Sequence, residues 1–434
     1  MDHATSTSPA VQAQLDRLTM LSPGADILGL ARIAQLLARL GDPHLRLPPV
    51  FHVAGTNGKG STCAFLRSAL EAEGYRVHAY TSPHLVRFNE RIRVAGQLIE
   101  DEPLATVMAR VLDVAEGIGA SFFEVSTAAA FLMFSEVAAD ACVIEVGLGG
   151  RLDATNVVVD PAVCGIAQLG IDHQSFLGDT AVAIAREKAG IAKPGRPLVT
   201  LAYTDDVARA VAEVADTAGA ALHIEGRDWT ALVSDTLAYA DARGSLDTPL
   251  PALSGGHQAR NLALATAMLR HQDRVPVSSA ALATAATTTR WPARMQRLGD
   301  GPLVATLAPG SRVWLDGGHN PAAADAVADA LRQVLGGARA HLVVGMLANK
   351  DAAGFLAPFA SLAASLTAVP IPGHDHHAPD HLAEIARGLG VPATTAADVS
   401  AALRPLADAP VDIAILGSLY LAGEVLRDND ELPD

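Results

Sequence analysis

The chain has 434 residues, half of them apolar and 4% aromatic, with 32 Lys and Arg against 47 Asp and Glu. That length exceeds one ordinary core and predicts two domains of unequal size. The formal charge of −15 excludes non-specific nucleic-acid binding, which needs cations to displace counterions.

The start, "MDHATSTSPAVQ", has no basic stretch leading into an apolar one, and no apolar run reaches membrane-spanning length. Cys63, Cys142 and Cys164 all lie in apolar segments and read as buried free thiols in a reducing cytoplasm. Further on, "ILGLARIAQLLARLG" has helical spacing, and "PPVFHVAG" is a short apolar strand ending in glycine. The stretch "HVAGTNGKGSTCAFL", His52 to Leu66, follows directly, with a helix opened by Ser61 and Thr62. It departs twice from the phosphate-loop pattern G-x-x-x-x-G-K-[ST]. Gly60 follows Lys59, and no glycine stands five positions before Gly58.

The next strand is "RVHAYTS"; "DACVIEVG" and "AVCGIAQLG" read as buried strands, each ending in a glycine-bearing turn. "DTAVAIAREKAGIAKPG" is a helix stopped by Pro-Gly, and "RPLVTLAY" and "ALHIEG" flank another helix. Residues 228 to 256 form a less regular piece with short β-like runs and Gly/Pro turns. The pattern pauses at "RWPARMQRLGDG", then restarts with "SRVWLDGGHNPAAADAVADAL", where Asn320 is the N-cap and Pro321 the first helical residue. "AHLVVGMLANKD" and "VDIAILGSLYLAGEVL" repeat the theme. Strands alternating with helices predict an α/β fold. The expectation is a P-loop-type, mostly parallel sheet flanked by helices over 1–297, then a smaller Rossmann-like α/β domain over 298–434.

In open parallel sheets ligands gather at the carboxyl ends of strands, which here are Gly55–Ser61, Thr81–Ser82, Glu145, Asp172–His173 and Asp316–His319. The glycine-rich loop is either a plain tight turn or a phosphate cradle. The cradle is favoured, because its N–H groups, a helix N-terminus and Lys59 all suit an anion. Glu145 interrupts an apolar strand, as a carboxylate does when it holds a metal or pairs with a base such as Arg151. The metal reading leads, since Gly60 vacates the usual hydroxyl position and Ser82, one strand away, offers a replacement oxygen. His173 alone is an ordinary packing residue, and imidazole is a poor Mg²⁺ ligand. Lys188 shares a helix flank with Ile184 and Ile191 and so points inward. It either pairs with a buried carboxylate or, as a neutral amine, captures carbon dioxide as a carbamate. "GLGGRLDATN" can be a glycine turn with an Arg–Asp pair, and "PGHDHHAPDHL" reads as a solvated loop between prolines rather than a metal site.

With these residues assembled, the chain resembles the folylpolyglutamate synthase/dihydrofolate synthase family of the Mur-ligase superfamily, in its bifunctional bacterial form. The likeness rests on "HVAGTNGKGS", "TSPHLVRFNERI", "FFEVSTAAAF", "VIEVGLGGRLDATN", "GIDHQSFLG", "REKAGIAKPG", "HQARNLALA", "WPARMQ", "WLDGGHNPAA" and "LGSLYLAGEV". The family's own loop has glycine after the lysine.

The resemblance implies an ATP-dependent ligase that joins L-glutamate to dihydropteroate and adds further glutamates to reduced folates. It implies that Asn57, Gly58, Lys59, Gly60 and Ser61 bind the ATP phosphates, that Asn261, Arg294 and Asp316 make further ATP contacts, and that ATP lies between the domains. Ser82, Glu145 and His173 would hold two Mg²⁺ ions. Lys188 would be carbamylated and, with Lys59 and His319, catalytic; a monovalent cation belongs to the same implied set. Gly29, Leu30, Ala31, Arg32, Phe122, Phe123, Glu124, Val125, Leu152, Asp153 and Ala154 match parts of the pterin site. His319, Ser418 and Tyr420 lie where the incoming glutamate is expected. One departure, Ala293 where many relatives have glycine, is expected to matter little because Arg294 is retained. The partners implied are small molecules, with no nucleic acid and no membrane, for a cytoplasmic monomer. Two other readings are a Mur-type ligase for a peptidoglycan precursor and a nucleotide-binding regulator with degenerate catalysis.

Overall fold

The computed structural model describes residues 4–21 and 28–434. Two compact units emerge: one runs to Ala252 and includes Gln258–Arg290, the other joins Leu253–His257 to Trp291–Asp434. Of the expected first periodic helix, Ile27 lies outside the described residues, and the helix itself runs Ala31–Arg39.

In the first unit, eight strands make one sheet: β1 (Val50–Ala54), β2 (Val77–Tyr80), β3 (Ile92–Val94), β4 (Gln97–Leu98), β5 (Ala141–Glu145), β6 (Val163–Ile166), β7 (Pro197–Thr200) and β8 (Ala221–Ile224). Their order is β4-β3-β2-β5-β1-β6-β7-β8. The six strands from β2 to β8 pair in parallel, whereas β3 and β4 add antiparallel at the edge. Every residue of β1, β2, β5 and β6 is buried, which is why these strands read as unbroken apolar runs: helices cover both faces. On one face Leu36, Leu37, Met108, Phe131 and Phe134 join Ile144 in a single cluster. On the other, Ala185, Ile191 and Val211 pack on Ile166 and Leu198. Each large side chain buried this way contributes about 1.5–3 kcal/mol.

The chain leaves β1 toward β2 on one side and later builds β6, β7 and β8 on the other. The carboxyl end of β1 is therefore a topological switch point, where open sheets bind ligands. The short β-like runs at 228 to 256 are strands: β9 (Trp229–Val233), β10 (Thr236–Asp241) and β11 (Gly244–Pro249) form a separate antiparallel sheet. Tight turns separate its strands, so no helical period interrupts them.

In the second unit β12 (Gln296–Arg297), β13 (Arg312–Leu315), β14 (Ala340–Val344), β15 (Ala363–Ala368), β16 (Ala393–Thr395) and β17 (Asp412–Leu416) are ordered β12-β13-β17-β14-β15-β16. All pairs are parallel except β12 with β13. Asn320 caps the helix Pro321–Leu335 through the Ala323 N–H, with Pro321 at its first position, as the sequence predicts.

Candidate active site

The glycine-rich loop occupies the carboxyl end of β1, and its helix starts at Lys59, two residues earlier than the hydroxyl pair suggests. Gly55 has φ +155, and any side chain there would meet the Ala167 Cβ at 2.9 Å. Gly58 has φ +81, and a side chain there would collide with the Asn261 amide. Both positions need glycine because neighbouring chain comes too close. Asn261, almost fully buried, donates to Gln258 Oε1 at 3.0 Å and so stands fixed against the loop. Thr56 ties the loop sideways: its N–H donates to the Gln168 carbonyl at 2.8 Å and its hydroxyl to the Gly170 carbonyl at 3.0 Å. Lys59 Nζ reaches the Gly55 and Thr56 carbonyls at 3.1 and 3.3 Å.

Glu145 ends β5, in register with Val53 of β1. Only 5% of it is exposed, and its Oε2 accepts the Ser82 N–H at 3.2 Å. The suggested partner Arg151 is engaged elsewhere, with Glu187 at 2.8 Å. Glu145 thus offers a hard oxygen donor next to Ser82, which fits a Mg²⁺-type ion. His173 is less well placed. It is exposed and left-handed (φ 51) in the loop well beyond Ile166, not at the strand end itself, and its own N–H donates to Asp172 Oδ1 at 2.8 Å. Among the described residues no group of three or more His, Cys, Asp or Glu is arranged to hold a metal.

Lys188 is 4% exposed and donates to the Gly55 carbonyl at 2.9 Å. Burial lowers its pKa to about 7, helped by the Lys59 charge and opposed by Asp172 and Asp153. The inward direction read from the sequence holds. The helix carrying it is locked to the 147–156 loop: Arg151 N–H donates to the Glu187 carbonyl at 2.8 Å, and a side chain on Gly150 would strike the Lys188 carbonyl at 2.7 Å.

The stretches matched to the pterin site converge. Arg32 Nε lies 3.0 Å from Glu124 Oε2, which also accepts the Ser121 N–H at 2.7 Å as part of a capping box. The far end of the Phe123 ring lies against Gly147, so that a side chain at 147 would meet its ring within 2.8 Å. Phe122 stands edge-on to Phe88, with the Arg91 guanidinium 5.3 Å from its ring centre. Gly29, Leu30 and Leu152 are half-buried, Ala31 is exposed, and Val125 and Ala154 face the core. Asp153 is a loop organiser: its carboxylate accepts from Leu148 N–H, Thr155 N–H and the Thr155 hydroxyl, and burial raises its pKa. The sequence reading missed His52, which lies wholly buried within β1 and meets the Thr155 hydroxyl at 2.8 Å. Burial drives its pKa down to about 3, so it is a neutral donor. The signal was available, a polar residue interrupting an apolar strand as Glu145 does.

In the second unit Asp316 follows β13. Its carboxylate accepts the Met295 N–H at 2.8 Å and the Gly318 N–H at 2.7 Å. Arg294 Nη1 donates to the Ala293 carbonyl at 2.8 Å, and Gly317 N–H to the same oxygen at 3.0 Å. Ala293 is therefore not an indifferent departure: it is buried with φ 53, a backbone that glycine adopts freely and that costs an L-residue about 1–2 kcal/mol. His319 Nδ1 pairs with the Gly317 carbonyl at 2.9 Å. One strand over, Ser418 follows β17 and caps the helix Leu419–Asp428 by accepting the Tyr420 N–H at 3.1 Å.

The "PGHDHHAPDHL" stretch is not simply solvated. His377 N–H donates to the Met346 carbonyl at 2.9 Å, its ring contacts the Lys350 carbonyl at 2.8 Å, and His374 stacks on Tyr420. His377 and His381 are four residues apart with rings 5.5 Å from each other, but their helix starts only at Pro379, so they do not form a helical metal pair.

The Mur ligase, glutamate ligase domain profile matches residues 293–417. The dihydrofolate synthase/folylpolyglutamate synthase of Escherichia coli (strain K12) is 37% identical over 349 residues, 80% of this chain and 78% of that protein. The chain belongs to the dihydrofolate synthase/folylpolyglutamate synthase family. Escherichia coli FolC solved with DHPP and ADP is similar over 98% of each chain, with TM-score 0.87 and 34% identity. A bifunctional folylpolyglutamate synthase/dihydrofolate synthase crystallised with Mn, AMPPNP and L-glutamate matches 97% of this chain and 98% of its own, with TM-score 0.85 and 33% identity. The protein is an ATP-dependent glutamate ligase, and the peptidoglycan-ligase alternative is not favoured. No helix among its described residues is long and apolar enough to cross a membrane.

Proposed function

We propose that this ligase joins L-glutamate to dihydropteroate and extends reduced folates by further glutamates. The observation that carries the assignment of roles is the cluster at the switch point: the Gly55–Ser61 loop on β1, with buried Glu145 one strand away and the Lys59 and Lys188 amines both on the Gly55 carbonyl.

A pterin-acid carboxylate attacks the γ-phosphorus of ATP, forming an acyl phosphate and releasing ADP. The glutamate amine then attacks the acyl carbon, and phosphate leaves from the tetrahedral intermediate. Two anions must meet in the first step, so positive charge at the loop governs its rate. Lys59 and the helix N-terminal N–H groups of Gly60 and Ser61 receive the phosphates, with Asn57 and Gly58 shaping the loop. Glu145 and Ser82, with His173 from the neighbouring exposed loop, would hold Mg²⁺, two ions on the resemblance, which would supply positive charge against the phosphates. Arg32, Glu124, Phe122 and Phe123 orient the pterin acid, while Asp153 keeps its loop in shape. Asn261, Arg294 and Asp316 complete the ATP contacts, and His319, Ser418 and Tyr420 receive glutamate.

Lys188 is assigned a carbamate. Its neutral amine adds to carbon dioxide, forming a C–N bond and releasing one proton; the remaining N–H keeps the bond to Gly55. A monovalent cation joins the set on resemblance alone. We assign a monomer working in the cytoplasm, where its three buried free cysteines would stay reduced.

ADP release by the purified protein tests the reading. It should require both a pterin acid and L-glutamate, and turnover lacking either requirement would overturn it. Assays with dihydropteroate and tetrahydrofolate as alternative acceptors measure the two activities.

A further inference from the structure

We propose that the histidine-bearing loop after β15 forms part of the glutamate-binding edge of the second sheet, with His374 as a positioning residue for Tyr420. The inference rests on the reading of Tyr420 as a residue that faces incoming glutamate. Four connections leave the carboxyl ends of adjacent strands here: Asp316–Asn320 after β13, Gly417–Ser418 after β17, Gly345–Lys350 after β14 and the histidine loop after β15. Substrate collects at this edge in an open parallel sheet.

The His374 ring lies over Tyr420 with centroids 3.8 Å apart and planes 25° from parallel. A flexible loop would make such a stack transient, but this one is laced down. Leu347 and His376 form an isolated β-bridge. Ala348 N–H donates to the Asp375 carbonyl at 3.1 Å and His377 N–H to the Met346 carbonyl at 2.9 Å. The His377 ring contacts the Lys350 carbonyl at 2.8 Å, and His376 Nδ1 meets the His374 carbonyl at 2.7 Å. The other side of Tyr420 is fixed by its backbone, whose N–H donates to the Ser418 hydroxyl at the start of its helix. The imidazole therefore limits the phenol ring to one rotamer before substrate arrives, and a side chain already ordered loses less entropy on binding.

The test is steady-state kinetics of the intact enzyme with each substrate varied in turn. His374→Ala should raise the KM for L-glutamate roughly three- to tenfold, the range of one lost aromatic contact. The KM values for ATP and pterin acid, and kcat at saturating glutamate, should hold. His374→Phe, which keeps a flat ring on Tyr420, should bring the glutamate KM back to within about twofold of the parent. An unchanged glutamate KM in His374→Ala, an equal rise in all three KM values, or failure of phenylalanine to rescue would each overturn the proposal. Tyr420→Ala separates the two layers. If it leaves the glutamate KM untouched, the reading of the glutamate site fails; if it raises that KM while His374→Ala does not, only the role of His374 fails.

Discussion

The side-chain amines of Lys59 and Lys188 converge on one oxygen, the Gly55 carbonyl, at 3.1 and 2.9 Å. Two full positive charges at that spacing repel, and the deeper amine yields: burial first, and Lys59 next, lower the Lys188 pKa to about 7. A lysine that is half neutral near pH 7 is a competent nucleophile for carbon dioxide.

The pH dependence follows. Carbamate formation needs the neutral amine, whose fraction falls to about a tenth one unit below its pKa. Occupancy measured by ¹³C NMR with labelled bicarbonate should therefore drop as pH falls through about 7, in parallel with activity. Lys188→Ala should lose most activity, with partial recovery in formate. An unmodified amine across the whole range would sink the carbamate.

The same shift has a stability consequence. In carbon-dioxide-free buffer the unfolded chain binds more protons than the folded one between about pH 7 and the ordinary lysine value of 10.5. Unmodified Lys188 thus lowers stability in full below about pH 7, and the loss fades as pH rises toward 10.5. Lys188→Met should melt higher than the parent at pH 7, with the gap shrinking by about pH 10.

Glu145→Gln keeps the acceptor for the Ser82 N–H but removes the charge. ADP release should fall about 10²-fold or more, and the concentration of Mg²⁺ needed for half-maximal activity should rise. A variant with parental metal dependence would remove Glu145 from the ligand set.

Gly147→Ala places a methyl group against the Phe123 ring. The KM for pterin acid should rise while the KM for ATP changes little, because the ring moves and the phosphate loop does not. Equal effects on both would mean that the strand end itself had shifted.

Arg32→Met leaves the Glu124 carboxylate, 4% exposed, without its cation at 3.0 Å. A loss of about 2–3 kcal/mol in urea unfolding at pH 7 is expected, together with a higher pterin-acid KM.

Much of this architecture was legible beforehand. The runs "VFHVA" and "ACVIE" are apolar throughout because both faces of their strands are covered, so strand and helix order followed from periodicity. Glu145 stood out because a carboxylate in such a run must have a purpose. At 228 to 256 the β-like runs and their turns were legible, but their pairing into one antiparallel sheet was not, since pairing is a contact between strands. The role of His374 was not legible, because its partner, Tyr420, lies 46 residues away.

By itself the sequence determined what is local: strand, loop and helix order, the glycine-and-lysine loop, the inward flank of Lys188, and the cap at Asn320. Those depend on backbone propensity and on side-chain spacing within one element. Only the tertiary structure decided which strand ends become neighbours, that Arg151 serves Glu187 and not Glu145, that His173 stands out in solvent, and that Ala293 sits in a left-handed backbone. Strand order and loop conformation bring together residues far apart in the chain, and no local pattern encodes a distance across a sheet.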